Sequence, residues 1–403
     1  MNTVRVFLLA AILAMPAAGI VAQQREKNSE DALAASETLA SPTSIGGYGN
    51  AYFQHNANNA VSHMSLERFV LFLGHRFSPS IALFSELEVE DAKISGGEAG
   101  GEVALEQAYL RFTLSKDAYL VAGLFLPRIG ILNENHLPTD FHGNERTRVE
   151  RSIIPSTWRE LGVGLYGSIA RLGARYSVAV MNGLNAASFE HGTVIRGGRF
   201  EGRDATGNAL AVTGALQFSA GDLTLQVSGY AGGSNAASAR ASDTLGFGSG
   251  VLSLPVYLGE ADARYASGGF SAKALGTFVF IRDAEAINRA YANATPRSAY
   301  GAYAEAAYDL FYGVSAFHGK QLIAFARGEL LDMNASVPSN GIVDRTLRQQ
   351  HLILGLTYLP VPNVAVKGDV RFARTLDAGV ILPGTLPSRA SNTFVNVGVG
   401  YSF

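Results

Sequence analysis

SNTFVNVGVGYSF, from Ser391 to Phe403, sets Val395, Val397, Val399, Tyr401 and Phe403 on every second position, with Asn396, Gly398, Gly400 and Ser402 between them. An extended strand sorts such a stretch into an apolar face and a small or polar face, whereas a helix would scatter it around its circumference. A chain end that frays into water gains nothing from an apolar last residue. The stretch therefore predicts a strand whose final Phe meets a core or a lipid.

The same period recurs upstream. In SIALFSELEVEDA, Ile81, Leu83, Leu87 and Val89 oppose Glu86, Glu88 and Glu90; in PNVAVKGDVRFAR, Val364, Val366, Val370 and Phe372 oppose Lys367, Asp369 and Arg371. QLIAFARGELLD sets Leu322, Ala324, Ala326 and Leu330 against Arg327 and Glu329, and LRQQHLILGLTYLP groups Leu352, Leu354, Leu356 and Tyr358. Strands are expected at 44–56, 64–77, 80–92, 102–115, 118–127, 158–170, 171–183, 207–219, 222–233, 255–266, 269–283, 298–311, 319–332, 346–359, 362–376 and 391–403. Most are longer than the usual ~5–6 residues of globular strands and suit the ~9–11 residues a tilted strand needs to cross a bilayer. Short turns, such as Lys116-Asp117 and Ser267-Gly268-Gly269, are expected after even-numbered strands, and longer loops after odd-numbered ones. That alternation predicts an all-β fold, a transmembrane antiparallel barrel of about sixteen strands with a long third loop that is a candidate to fold inward.

Composition agrees. Only 16% of the 403 residues are charged while 47% are hydrophobic, against about 25% charged in soluble domains. The net charge of −2 offers no field for nucleic acid, and without cysteine there is neither a disulfide framework nor a thiolate metal site. Residues 1–22, with Arg5 ahead of VFLLAAILA and small residues before a polar stretch, read as a secretory signal peptide cleaved after Gly19 or Ala22. Residues 23–43 read as a polar N-terminal arm, and 44–403 as the barrel, located in a bacterial outer membrane.

The inner faces carry Arg68, Arg76, Arg111, Arg175, Arg264, Lys273, Arg327, Lys367 and Arg371, with Glu86, Glu88, Glu90, Glu260, Asp262, Glu305, Asp309, Glu329 and Asp369. Charges in such number are prohibitive in a dry core, so a wet lumen is expected, with Arg68, Arg76, Arg111, Arg175, Lys273, Arg327, Lys367 and Arg371 as pore-lining cations. Arg327→Leu on that face is expected to leave folding nearly intact.

GVGLYG, Gly162 to Gly167, has nucleotide-loop spacing but lies in a strand with no following helix pattern, so its glycines are expected to relieve crowding at the wall. His136 and His142 bracket Asp140 with Glu134 nearby, but without compact ligand spacing they read as solvated loop histidines. No nucleophile elbow or zinc-protease motif occurs. No catalytic residue, metal or cofactor is expected, and the protein is expected not to be an enzyme. The alternatives are a phospholipase- or protease-like barrel enzyme and a non-channel structural barrel.

The longest connection, 128–157, exceeds ordinary loop lengths and so predicts a function. It holds Arg128, Arg146, Arg148 and Arg151, with Arg159 just beyond. Either these arginines pair with Glu134, Glu145 and Glu150, or the loop folds inward and the guanidinium groups meet passing anions.

Two resemblances add to this reading. The last strand resembles the C-terminal signature of bacterial outer-membrane proteins, which implies that Tyr401 and Phe403 are read by the barrel-assembly machinery. LEQAYLRFTLSKDAYLVAGLFLPRIG and ERSIIPSTWRELGVGLYG, and more loosely FARGELLDMN and LGLTYLPVPNVAVKGDVRFAR, resemble the phosphate-selective porin O/P family. That resemblance implies a Gram-negative, homotrimeric, sixteen-stranded porin for passive diffusion of small anionic or polar solutes, constricted by its third loop. Phosphate-specific members rely on lysines at the constriction; this third loop has none.

Overall fold

The computed structural model describes residues 42–91, 102–235, 247–248, 250–377 and 390–403. The expected signal peptide, and the arm as far as residue 41, lie outside the described residues. The strands are β1 (Thr43–Asn56), β2 (Val61–Ser78), β3 (Ile81–Glu90), β4 (Val103–Ser115), β5 (Ala118–Phe125), β6 (Glu160–Ile169), β7 (Ala174–Asn182), β8 (Leu210–Ala220), β9 (Leu223–Gly232), β10 (Val256–Ser267), β11 (Phe270–Ile281), β12 (Ser298–Asp309), β13 (Gln321–Ser336), β14 (Arg348–Val361), β15 (Val364–Thr375) and β16 (Ser391–Ser402). Each pairs antiparallel with its sequence neighbours, and β16 closes on β1 to give a sixteen-stranded barrel.

Outward positions are apolar on every side. Leu71, Val163, Val227, Phe278, Leu354 and Val397 all stand exposed, a belt of the kind that lipid solvates. At the seam, Gly47 and Phe403 exchange backbone hydrogen bonds of 2.9 and 2.8 Å. A side chain at Gly47 would run into the Phe403 ring, and one at Gly49 into the Tyr401 hydroxyl. The two aromatics thus reach over β1 glycines on the outer wall, which is where the last residue finds its partner.

Three local expectations are corrected. β7 starts at Ala174, because Ala170–Leu172 turns tightly and Gly173, at φ 59°, donates back to Ala170 O at 3.1 Å. The first loop shrinks to 57–60, since Val61 already pairs with Asn56. On the short-turn rim, 310–320 is a longer connection in which Phe311 and Phe317 stack at 3.9 Å.

The lumen also departs from the wet channel that was expected. Ile129, Val149, Ile153 and Trp158 of the third loop pack with Leu184, Phe189 and Ile195 of the fourth and with inward side chains of β7 to β13. Short helix α1 (Arg148–Ser152) and helix α2 (Ala284–Tyr291) frame this core. One side of the barrel mouth is therefore dry, filled by this apolar cluster.

Candidate functional site

The third loop, 126–159, folds into the barrel, and wall charges hold it there. Lys367 donates to the carbonyls of Phe141 and Gly143 at 2.7 and 2.9 Å. Arg327 donates to those of His142 and Glu145, both at 3.2 Å, while pairing with Glu305 and Glu329. Asp369 accepts from the backbone and side chain of Asn144 at 2.8 and 2.7 Å. Glu329 accepts from the first backbone N–H of α1 at 2.6 Å, where the helix dipole favours a negative charge. Thr147 caps the same helix by accepting from Glu150 N. Inward Gly398 and Gly400 leave the space that Asn144 and Pro138 occupy.

Arg327 and Lys367 were expected to line water, but both are buried under the loop. Arg327→Leu is accordingly not neutral for the loop, since it strips two carbonyls and two carboxylates of a donor. The other wall cations divide similarly. Lys273 pairs with Glu305 at 3.0 Å, and Arg111 lies 4.0 Å over the Tyr119 ring. Arg68 meets Glu67 and Glu88, both at 3.4 Å, and Arg371 meets Glu145 at 3.1 Å. Arg76 and Arg175 are half-buried on β2 and β7.

The loop arginines fall into two groups. Arg128 is buried and paired with Glu134 at 2.7 Å, and Arg159 is buried beside Glu201 at 3.4 Å. Arg146 and Arg148 are half-buried and Arg151 is exposed. Neither Glu145 nor Glu150 forms an ion pair with any of these three. Glu145 turns to Arg371 on the wall. Glu150 is fully buried, accepting from Tyr303 Oη at 2.6 Å and from the N–H groups of Ile131 and Leu132 at 2.9 and 2.6 Å. Among the described residues, no carboxylate lies within ion-pair distance of Arg146, Arg148 or Arg151.

Like charges gather instead. Burial, and then the guanidinium of Arg68, holds Arg146 below the usual arginine range. Arg148 is lowered by burial, with Glu145 opposing the shift and Arg371 and Arg151 adding to it. Arg146, Arg148 and Arg151 thus form a cationic strip on the loop, flanked by Arg68 and Arg371 of the β2 and β15 walls, which are themselves paired with Glu67, Glu88 and Glu145. The sequence reading missed Arg196 and Arg199 of the fourth loop, although RGGRFEGR was a visible basic run. Arg196 donates to the carbonyls of Arg151 and Ser156, and Arg199 to those of Pro155 and Thr157, so the fourth loop straps the third. Burial, followed by the charges of Arg199 and Arg151, pushes Arg196 down to about 9.

The four histidine-region residues do not assemble. Glu134 is taken by Arg128, and His142 stacks on Phe325 with centroids 5.5 Å apart. His136 is buried against Tyr48 rather than solvated. The glycines of GVGLYG do relieve crowding: a Cβ at Gly164 would meet the Tyr166 ring and one at Gly167 the Tyr176 hydroxyl.

No family model matches the sequence. An uncharacterized protein of Aquifex aeolicus is 31% identical over 339 residues, covering 81% of this chain and 74% of the relative. Among solved structures, the chain is similar to Salmonella typhi OmpF in complex with daunomycin, with TM-score 0.57, 13% identity and coverage of 90% of this chain and 97% of that one. It is similar to an anion-selective porin from Comamonas acidovorans, with TM-score 0.54, 13% identity and coverage of 90% and 99%. The trimer form of Vibrio cholerae OmpT gives TM-score 0.53, 12% identity and coverage of 90% and 99%. At such identities the likeness is one of fold, a closed sixteen-stranded barrel shared with outer-membrane porins. The chain belongs to the family of the Aquifex aeolicus protein, and its fold is that of the porins.

Proposed function

We propose that this protein is a non-enzymatic outer-membrane porin, a passive channel for small polar solutes with a modest preference for anions. The observation that carries the anion preference is the strip of Arg146, Arg148 and Arg151, for which no carboxylate among the described residues lies within ion-pair distance. Two unit charges about 4 Å apart interact by about 4 kcal/mol at an effective dielectric of about 20, so a few cations without ion-pair partners on the inward loop outweigh charges that are paired along the walls. Salt screens them over about 10 Å, which keeps the preference modest. Its guanidinium groups suit oxyanions, phosphate included, through paired donors. The apolar belt is solvated by outer-membrane lipid, the assembly machinery engages Tyr401 and Phe403, and the working unit is a homotrimer. The trimeric form of a fold neighbour supports that last point.

Reversal potential across a planar bilayer in a KCl gradient tests the reading. The parent is expected to prefer chloride, and the triple variant Arg146→Ala, Arg148→Ala, Arg151→Ala to lose most of that preference. A cation-preferring parent, or a variant with the parent's preference, defeats it.

A further inference from the structure

Away from its anchors on β13 and β15, the third loop meets the β3–β4 wall through His136. There Glu86, Glu106 and His136, all buried, bring one ligand atom each to within 4.8 Å of one another. His136 Nε2 lies 3.5 Å from Glu106 Oε1 and 4.0 Å from Glu86 Oε2. A cation bonded at about 2.0–2.2 Å to each ligand holds tetrahedral neighbours about 3.4–3.6 Å apart, so the 3.5 Å pair already fits one centre, and the 4.0 Å pair and the third pair, within 4.8 Å, close on the ion by side-chain rotation.

The surrounding groups point the same way. His136 Nδ1 lies 3.1 Å from Asn133 O. A carbonyl only accepts, so Nδ1 is the donor, and Nε2 is turned towards the two carboxylates. This is the arrangement that orients a metal-ligating imidazole. Glu106 is 0% exposed, and its Oε1, facing Nε2, has no hydrogen-bond partner. Its Oε2 accepts from Tyr48 Oη at 2.7 Å, and Glu86 Oε2 accepts from Gln107 Nε2 at 3.1 Å. Arg68 pairs with Glu67 and Glu88 and Arg146 donates to His136 O at 3.2 Å; the charges of both reach Glu106 from beyond ion-pair distance. The backbone also departs from regularity to build the cluster. The register shifts between Glu86, which faces Gln107, and Leu87, which faces Leu105. Glu106 is left as the extra residue of a bulge, and it and Gln107 turn inward together. Bulges re-aim side chains in this way at functional sites.

We propose that Glu86, Glu106 and His136 form a binding site for a first-row divalent cation that pins the third loop to the β3–β4 wall. One imidazole and two carboxylates suit Mn²⁺ or Zn²⁺ better than Mg²⁺, which favours an all-oxygen shell. Binding involves no redox change: the ion exchanges bound water for the three ligands, and its charge offsets the two carboxylates. Arg146 of the proposed anion strip touches the site through the His136 carbonyl, but the test reads metal binding, which stands or falls apart from the channel's ion preference.

The test uses the full refolded protein in detergent, stripped with chelator, equilibrated with Zn²⁺ or Mn²⁺ and assayed for bound metal by elemental analysis and titration calorimetry. One ion per chain is expected, with Mg²⁺ binding far more weakly. Tyr48→Phe removes only the support of Glu106 and is expected to weaken binding about 10–100-fold. Glu106→Gln and His136→Gln are expected to weaken it further, while His191→Gln, at a half-buried pair with Asp344 elsewhere, leaves it unchanged. Should a ligand variant fail to fold, Co²⁺ added to the parent decides, through visible absorption bands of an imidazole–carboxylate site that vanish with chelator. Absence of those bands, stoichiometry lost in His191→Gln, or equal metal in the parent and the Glu106→Gln or His136→Gln variants overturns the site.

Discussion

A side chain at Gly400 would place its Cβ 2.6 Å from Pro138 Cβ, so this glycine on the inner face of β16 is a seat for the third loop. Its conformation needs no glycine; the neighbouring loop does. Gly400→Val therefore is expected to push Pro138 off the wall and widen the passage. Single-channel recordings should show larger or noisier conductance steps, while the barrel keeps its heat-modifiable migration on a gel. Parental conductance would mean that the loop tolerates the methyl groups and that its seat lies elsewhere. The same residue-scale logic separates the arginines. Arg128 and Arg159 looked equivalent to Arg146, Arg148 and Arg151 in the sequence, yet Glu134 and Glu201 occupy the first two. Which arginine is compensated depends on where the loop's carboxylates point, and Glu150 points into the core. Spacing along the chain carries no record of that.

At the scale of a strand, the face presented to lipid and the face presented to the lumen make opposite demands. Leu354 on β14 is exposed on the outer belt, and Leu354→Arg near the bilayer midplane is expected to cost about 2–4 kcal/mol, read from urea unfolding in lipid vesicles. Arg327→Leu should spare the barrel more but raise hydrogen exchange within residues 142–145, where it removes the anchors of the His142 and Glu145 carbonyls. Matching losses of barrel stability with an unaltered loop would mean that the two faces are misassigned. The strands and their faces were legible because one period governs the whole chain, and each lipid-facing position had to be apolar whatever lay inside. The dry half of the mouth was not legible. Val256, Leu258, Val279 and Ile281 alternate with outward apolar residues, so both faces of those strand ends are apolar, and period-2 reading sees only a hydrophobic run. The bulge at Glu106 left one trace, two consecutive polar residues in LEQAYL. The anchors left none, since Asn144 meets Asp369 and Arg148 meets Glu329 across separations of 225 and 181 residues.

For the molecule as a whole, closure is the step that turns a run of local hairpins into one structure, because an open sheet in lipid leaves two edges of unpaired backbone groups. The β1–β16 seam runs from Asn56 opposite Phe394 to Tyr48 opposite Ser402, and Phe403 extends it by two further hydrogen bonds to Gly47. Its ring, 61% exposed on the outer wall, covers a glycine-rich stretch of β1 that has no side chains of its own to offer lipid. Removing Phe403 is expected to slow or abolish assembly, since it takes away both the backbone pairing and the ring that covers Gly47. Phe403→Ala separates the two contributions, because it keeps the backbone pairing and deletes the ring alone. Folded fraction after timed refolding into vesicles, read from heat-modifiable migration, should fall in the order parent, Phe403→Ala, truncated chain. A truncated protein that folds at the parent's rate and yield would show that the seam closes without its last residue, and that Phe403 serves neither closure nor recognition.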